Sequence, residues 1–181
     1  MKFLKGCLIT FIIFIGICII GWFSFKSNVL ENLESLSGKV KDNWEKYTEN
    51  IIERNAEFAL QQAKNDSLKY YLKNSNELIK SKEYSKELEL NEYKLNRILM
   101  VNSLKSNLNE KLNLSLDNYN QAVKEYNVYR VTFPNSLIAR KTKFQKFYKY
   151  FDIRYGIENE KTMARKKERE NWIKNGGPLP Q

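Results

Sequence analysis

Residues 29–58 read VLENLESLSGKVKDNWEKYTENIIERNAEF. Val29, Leu33, Leu36, Val40, Trp44, Tyr47, Ile51 and Phe58 recur in steps of three, four or seven, which puts them on one side of a helix. The spacing predicts one long helix with a single buried face. Gly38 lies within it, at a cost of about 1 kcal/mol relative to Ala, and is a place for a bend. From Lys39 to Phe133 there is neither glycine nor proline, and the interval is rich in Leu, Lys, Glu and Asn. Such a stretch favours long helices over strands and turns. The expected fold class is all-α.

Towards the N-terminus the stripe runs into CLITFIIFIGICIIGWFSF, residues 7–25, which carry no charge. As a helix these residues rise roughly 28 Å, close to the ~30 Å hydrocarbon core of a bilayer. A single transmembrane anchor is expected over residues 1–28, continuing without a proline into the first bundle helix. A cleaved secretory signal would also begin with cations, here Lys2 and Lys5, but the run is longer than a signal core and no A-x-A follows it. Trp22 and Phe23 suit a membrane interface. Lys2 and Lys5 precede the run, and Lys26, Lys39 and Lys41 follow it, so the flanking cations are nearly balanced. The proximity of Lys2 and Lys5 tilts the expectation towards an exported domain on a cell membrane.

The inventory for catalysis is short. Both cysteines, Cys7 and Cys18, lie in the apolar run, and there is no histidine. Disulfides, thiol chemistry, the usual general base and the commonest metal ligand are therefore missing from the expected soluble part. Carboxylate-bridged metal bundles need Glu-x-x-His pairs that this chain lacks. Glu83, Glu87 and Glu89 are expected on a solvated face with Lys80, Lys82 and Lys86. No catalytic residue, cofactor, metal or small-molecule substrate is inferred.

Asn65-Asp66-Ser67 is the first interruption with helix-capping side chains, and Lys80-Ser81-Lys82-Glu83 offers a second turn. From about Tyr84 one helix is expected to run to Arg130, its stripe including Leu88, Leu95, Leu112, Tyr119, Val123 and Tyr126, until Pro134 stops it. The most distinctive block is YNQAVKEYNVYRVTFPNSLIA, residues 119–139. Tyr119-Asn120 recurs as Tyr126-Asn127, two turns on along one face. The tyrosines are expected to pack and the asparagines to bond another helix or a terminus. Phe133-Pro134 ends the helix, and Leu137 and Ile138 return the chain to an apolar contact.

YNQAVKEYN followed by FPNSLIA resembles the LemA family of bacterial membrane proteins, which pair a Tyr-Asn-x-Ala-Val-x-x-Tyr-Asn helix with a Phe-Pro exit. Val40, Trp44, Ile51 and Arg54 are similar to that family's first bundle helix, and the anchor sits where the family has one. The resemblance implies an antiparallel bundle over residues 29–151 on a single-span anchor. It supplies no enzymatic activity, cofactor or catalytic residue. The chain departs from the family at residues 56–62, where AEFALQQ replaces a proline-containing segment and a straighter helix is expected. It departs again at Lys143-Phe144-Gln145-Lys146-Phe147, which replaces a Gly-Phe motif.

The net charge of +10 is concentrated near the C-terminus, where residues 139–174 alone contribute +7. Within KFQKFYKYFDIRY, residues 143–155, Phe144, Phe147, Tyr148 and Phe151 are expected to form one face of a short helix. Lys143, Lys146, Lys149 and Tyr150 are its candidate interaction surface. Packing against the bundle with lysines outward leads, ahead of a membrane-surface or anionic-polymer patch. Interleaved aromatics and cations would also suit single-stranded nucleic acid, but the anchor and the lack of a nucleic-acid motif argue against it. Residues 152–181 are expected to be a basic tail, disordered from Gly176. The leading function is a non-catalytic interaction or scaffold module at the bacterial envelope, engaging an unidentified protein partner. A membrane-associated enzyme using carboxylates is the other class.

Overall fold

The computed structural model describes residues 2–59, 65–81, 83–156, 164–165 and 167–168, with side chains from residue 11 onward. All regular structure among the described residues is helical. Helix α1 spans Lys2–Glu57, α2 Asp66–Leu78, α3 Lys86–Val101, α4 Asn109–Val131 and α5 Asn135–Ala139, with a 3-10 turn at Ile79–Ser81 after α2. The chain forms two compact units: Met1–Lys39 with Lys124–Tyr148, and Val40–Val123 with Lys149–Gln181.

In the first unit Val29 and Leu33 of the predicted stripe are buried and Leu36 is half-buried. Ser37 Oγ lies 2.7 Å from Tyr148 OH, and the Tyr148 ring packs edge-on against Tyr126 with centroids 4.8 Å apart. Before Val29 the helix changes character: Phe11, Phe14, Ile17, Ile20 and Phe23 are all exposed. By length and composition this N-terminal helix is apolar enough to cross a membrane.

In the second unit α1 and α4 run antiparallel. Trp44 packs on Tyr119 at 5.0 Å, and further along α1 Glu53 pairs with Lys111 of α4. Helices α2 and α3 are also antiparallel, since Asn74 bonds Asn91 while Leu68 and Leu72 join Leu95, Leu99 and Phe58 in one apolar cluster. The predicted turn residue Asn65 caps α2 by accepting from the Leu68 amide, and Ser85, just beyond the predicted second turn, caps α3 by accepting from the Leu88 amide. Helix α1 stops at Glu57.

Two expectations need correction. The helix expected from Tyr84 to Arg130 is two helices, broken over residues 102–108. Ser103 adopts φ +55, its amide donates to Met100 O, and the Leu104 amide donates to Leu99 O. These are the paired bonds of a Schellman end, and Leu104 packs on the cluster containing Leu99, the apolar contact that accompanies it. Glycine usually fills the left-handed position, so a serine there hid the break. The segment expected as a short helix carrying Phe144 to Phe151 is instead non-helical, and so is the chain on to Tyr155. Phe151, Ile153 and Tyr155 are buried alternately, a period of two that no helix produces. The expected tail boundary at 152 therefore falls inside a packed segment. The expectation of disorder from Gly176 concerns residues outside the described ones.

Ser103 tests the helix break. Ser103→Gly removes a left-handed cost of roughly 1 kcal/mol and is expected to raise the denaturation midpoint of the detergent-solubilised full-length protein. Ser103→Val is expected to lower it, and an increase with valine would contradict the assignment.

Candidate functional site

The non-helical segment from Gln145 to Gly156, called here the strap, has backbone groups that no helix ladder serves. Side chains of α3 and α4 meet them instead. Asn120 accepts from the Phe151 amide at 2.9 Å and donates to the Phe151 carbonyl at 2.8 Å, so one carboxamide clasps one residue's backbone from both sides. Asn113, seven residues earlier, does the same to Tyr155 at 2.9 and 3.1 Å. In the first unit Asn127, seven residues after Asn120, clasps Tyr148 at 3.0 and 2.9 Å. The preceding tyrosines add single bonds: Tyr119 OH donates to the Lys149 carbonyl, and Tyr126 OH to that of Gln145. From α3, Glu89 accepts the Asp152 amide and Asn96 clasps Gly156, whose φ of +88 suits glycine. The Tyr-Asn repeat is thus a peptide clasp repeated every second turn. It reads backbone, while the Phe151 side chain fills a space between Trp44, Tyr47 and Tyr84.

Beneath the strap lies a buried polar cluster. Arg54 and Glu92, both fully buried, pair at 2.9 Å. Glu92 also accepts from Ser75 Oγ at 2.6 Å and from Tyr155 OH at 2.9 Å, and Tyr155 OH lies 2.7 Å from Tyr47 OH. Asn55 accepts from Arg54 and donates to Ser75 and Asn76, joining α1 to α2. The Arg54 guanidinium carbon stands 5.6 Å from the Tyr155 ring centroid, within cation–π range. Arg54 Nη1 and Trp44 Nε1 are buried without a hydrogen-bond partner among the described residues.

Burial holds the hydroxyls of Tyr47 and Tyr155 well above the ordinary phenol pKa, and the charge of Glu92 raises them further. For Arg54, burial is the largest single influence and opposes the charge, but the charge and hydrogen bond of Glu92 together with Tyr155 and Tyr47 outweigh it, and its pKa is raised. Both tyrosines are therefore neutral donors at neutral pH. Glu92 is already engaged by donors on both oxygens, so the cluster is suited to locking α1, α2, α3 and the strap together.

The sequence-predicted residues separate into distinct roles. Trp44, Arg54, Tyr119 and Asn120 meet in the second unit around the strap, while Tyr126 and Asn127 serve it in the first. Phe133 is exposed, and Pro134 precedes α5, whose Ile138 is buried while Leu137 is not. Lys143 and Lys146 are exposed in the first unit; in the second, Lys149 stands 5.7 Å from the Tyr84 ring centroid and Tyr150 is exposed. Glu89, expected on a solvated face, is buried, because it must receive Tyr84 OH as well as the Asp152 amide. Asn113, Asn96 and Glu92 were missed. The signals available for finding the clasp were the seven-residue spacing of Asn113, Asn120 and Asn127 and the apolar-polar alternation of Phe151-Asp152-Ile153-Arg154-Tyr155. No family model matches the chain, and no curated protein and no solved structure is similar to it.

Two outcomes test the cluster. Arg54→Met strands a buried carboxylate and is expected to cost about 3–5 kcal/mol in equilibrium unfolding, with most of it recovered in the double variant Arg54→Met/Glu92→Met. An equal loss in both would contradict the pairing. With two tyrosines whose pKa is raised on folding, the stabilisation from their protons is complete below the unfolded value of about 10 and declines as pH rises above it. Phenolate absorbance of Tyr47 and Tyr155 should therefore appear together with alkaline unfolding and not before it.

Proposed function

We propose that the chain is a membrane-anchored, non-catalytic helical-bundle protein of the LemA type, acting as an interaction or scaffold module at the bacterial cell envelope. The observation that carries this reading is the continuity of α1. The same helix bears an exposed apolar run at its start and a buried stripe from Val29 to Ile51. In water the exposed Phe11, Phe14, Ile17, Ile20 and Phe23 would be a costly patch; in a bilayer they are solvated.

The absence of catalysis is supported by how the buried carboxylates are used. Glu92 is engaged by Arg54, Ser75 and Tyr155, and Glu89 by Tyr84 and the Asp152 amide. Family membership is supported by the positions of Trp44, Arg54 and the two Tyr-Asn pairs, all of them part of the packing around the strap. Residues 7–25 cross the inner membrane once, with the bundle exported.

Alkaline extraction of membranes, followed by crosslinking and capture of the full-length protein, tests the reading. The chain is expected in the membrane pellet, with a reproducible protein adduct that forms through the folded bundle. Recovery in the supernatant would overturn the anchor, and repeated failure to trap any partner would overturn the scaffold role.

A further inference from the structure

We propose that the turn joining α4 to α5 is a second membrane contact, seated in the headgroup layer of an anionic bilayer beside the anchor; this rests on the reading of α1 as membrane-spanning. All the residues involved belong to the first unit.

The first support is position. The apolar run ends at Phe25, and Val29, four residues later, is fully buried. Those four residues rise about 6 Å along the axis. Ser37 stands beside Tyr148, whose ring packs on Tyr126. Val29 lies two turns nearer the membrane, level with chain beyond Tyr126, where Ile138 and Ala139 of α5 are buried. The α4–α5 turn therefore lies within about a turn of the end of the hydrocarbon span. A headgroup layer is roughly 5–8 Å deep on each face, so the turn falls inside it.

The second support is chemistry. Around this turn Val131 is 55%, Phe133 75% and Leu137 47% exposed. Three neighbouring apolar groups left uncovered at that depth are what an interfacial contact needs. Charge is the third. From Tyr126 to Tyr148 there is no Asp or Glu, while Arg140, Lys141, Lys143 and Lys146 are exposed. Cations beside an anionic surface are attracted to it, which selects an anionic lipid surface as the occupant.

The test uses full-length protein with Cys7 and Cys18 replaced by Ser, carrying one nitroxide-labelled cysteine, in nanodiscs of phosphatidylcholine with or without phosphatidylglycerol. Labels replace Phe14, Glu34, Val131, Phe133 or Leu137, all exposed, so the fold is not challenged. Depth is read from oxygen against nickel accessibility. The expected pattern is bilayer depth for Phe14→Cys, water for Glu34→Cys, and headgroup depth for the other three, deeper with phosphatidylglycerol. Aqueous readings at Val131, Phe133 and Leu137 with Phe14 in the bilayer would overturn the second contact alone. An aqueous reading at Phe14 would overturn the anchor and the contact together. Equal depth in both lipid compositions would overturn the anionic-lipid assignment.

Discussion

A non-helical segment buried among helices has amide and carbonyl groups that cannot find partners in its own backbone. Leaving one such group unpaired costs about 1–3 kcal/mol, so a segment of this kind exists only where side chains substitute for a sheet. In this protein the substitution is made by carboxamides. Asn113 and Asn120 each present a donor and an acceptor in the geometry a neighbouring strand would offer, and each engages both backbone groups of one strap residue. The rise of α4 sets the repeat: seven residues on a helix are close to two turns, so successive asparagines return to the same face.

The strap in turn completes the interior of the second unit. Tyr155 occupies one lone pair of Glu92 and lies against Arg54, while Phe151 closes the aromatic group formed by Trp44, Tyr47 and Tyr84. A buried ion pair is weak evidence for stability in itself, because desolvation consumes much of the attraction. Its consequence is specificity. Arg54, Glu92, Ser75 and Asn55 join α1, α2 and α3 in one register, and an apolar core of similar volume would not prescribe which strap residue sits over Glu92. Sequence-independent clasping of the backbone and register-specific burial of Phe151, Ile153 and Tyr155 thus divide the work.

Much of this was legible in the sequence where periodicity is long. The stripe from Val29 to Phe58 foretold α1, and Asn65 and the region before Ser85 foretold two helix starts. The Schellman end at Ser103 was not legible, because its signal is a left-handed residue and serine does not announce one. The strap was misread as a helix because Phe144, Phe147, Tyr148 and Phe151 fit a helical spacing, whereas the alternation that decides the matter occupies only Phe151 to Tyr155. The Tyr-Asn pairs stood out as a repeat, yet what asparagine bonds cannot be inferred from its own helix. Glu89 and Glu92 illustrate the same limit: a carboxylate three residues from another on an otherwise polar helix looks solvated until the donors that surround it are known.

The account depends most on the clasps, and amide hydrogen exchange of the full-length protein measures them directly. The amides of Phe151 and Tyr155 donate to Asn120 and Asn113, so they are expected to exchange as slowly as helical amides in the middle of α4, despite lying outside any helix or sheet. Exchange at the rate of an unstructured chain at both residues would contradict the clasp, and with it the packing built upon the strap.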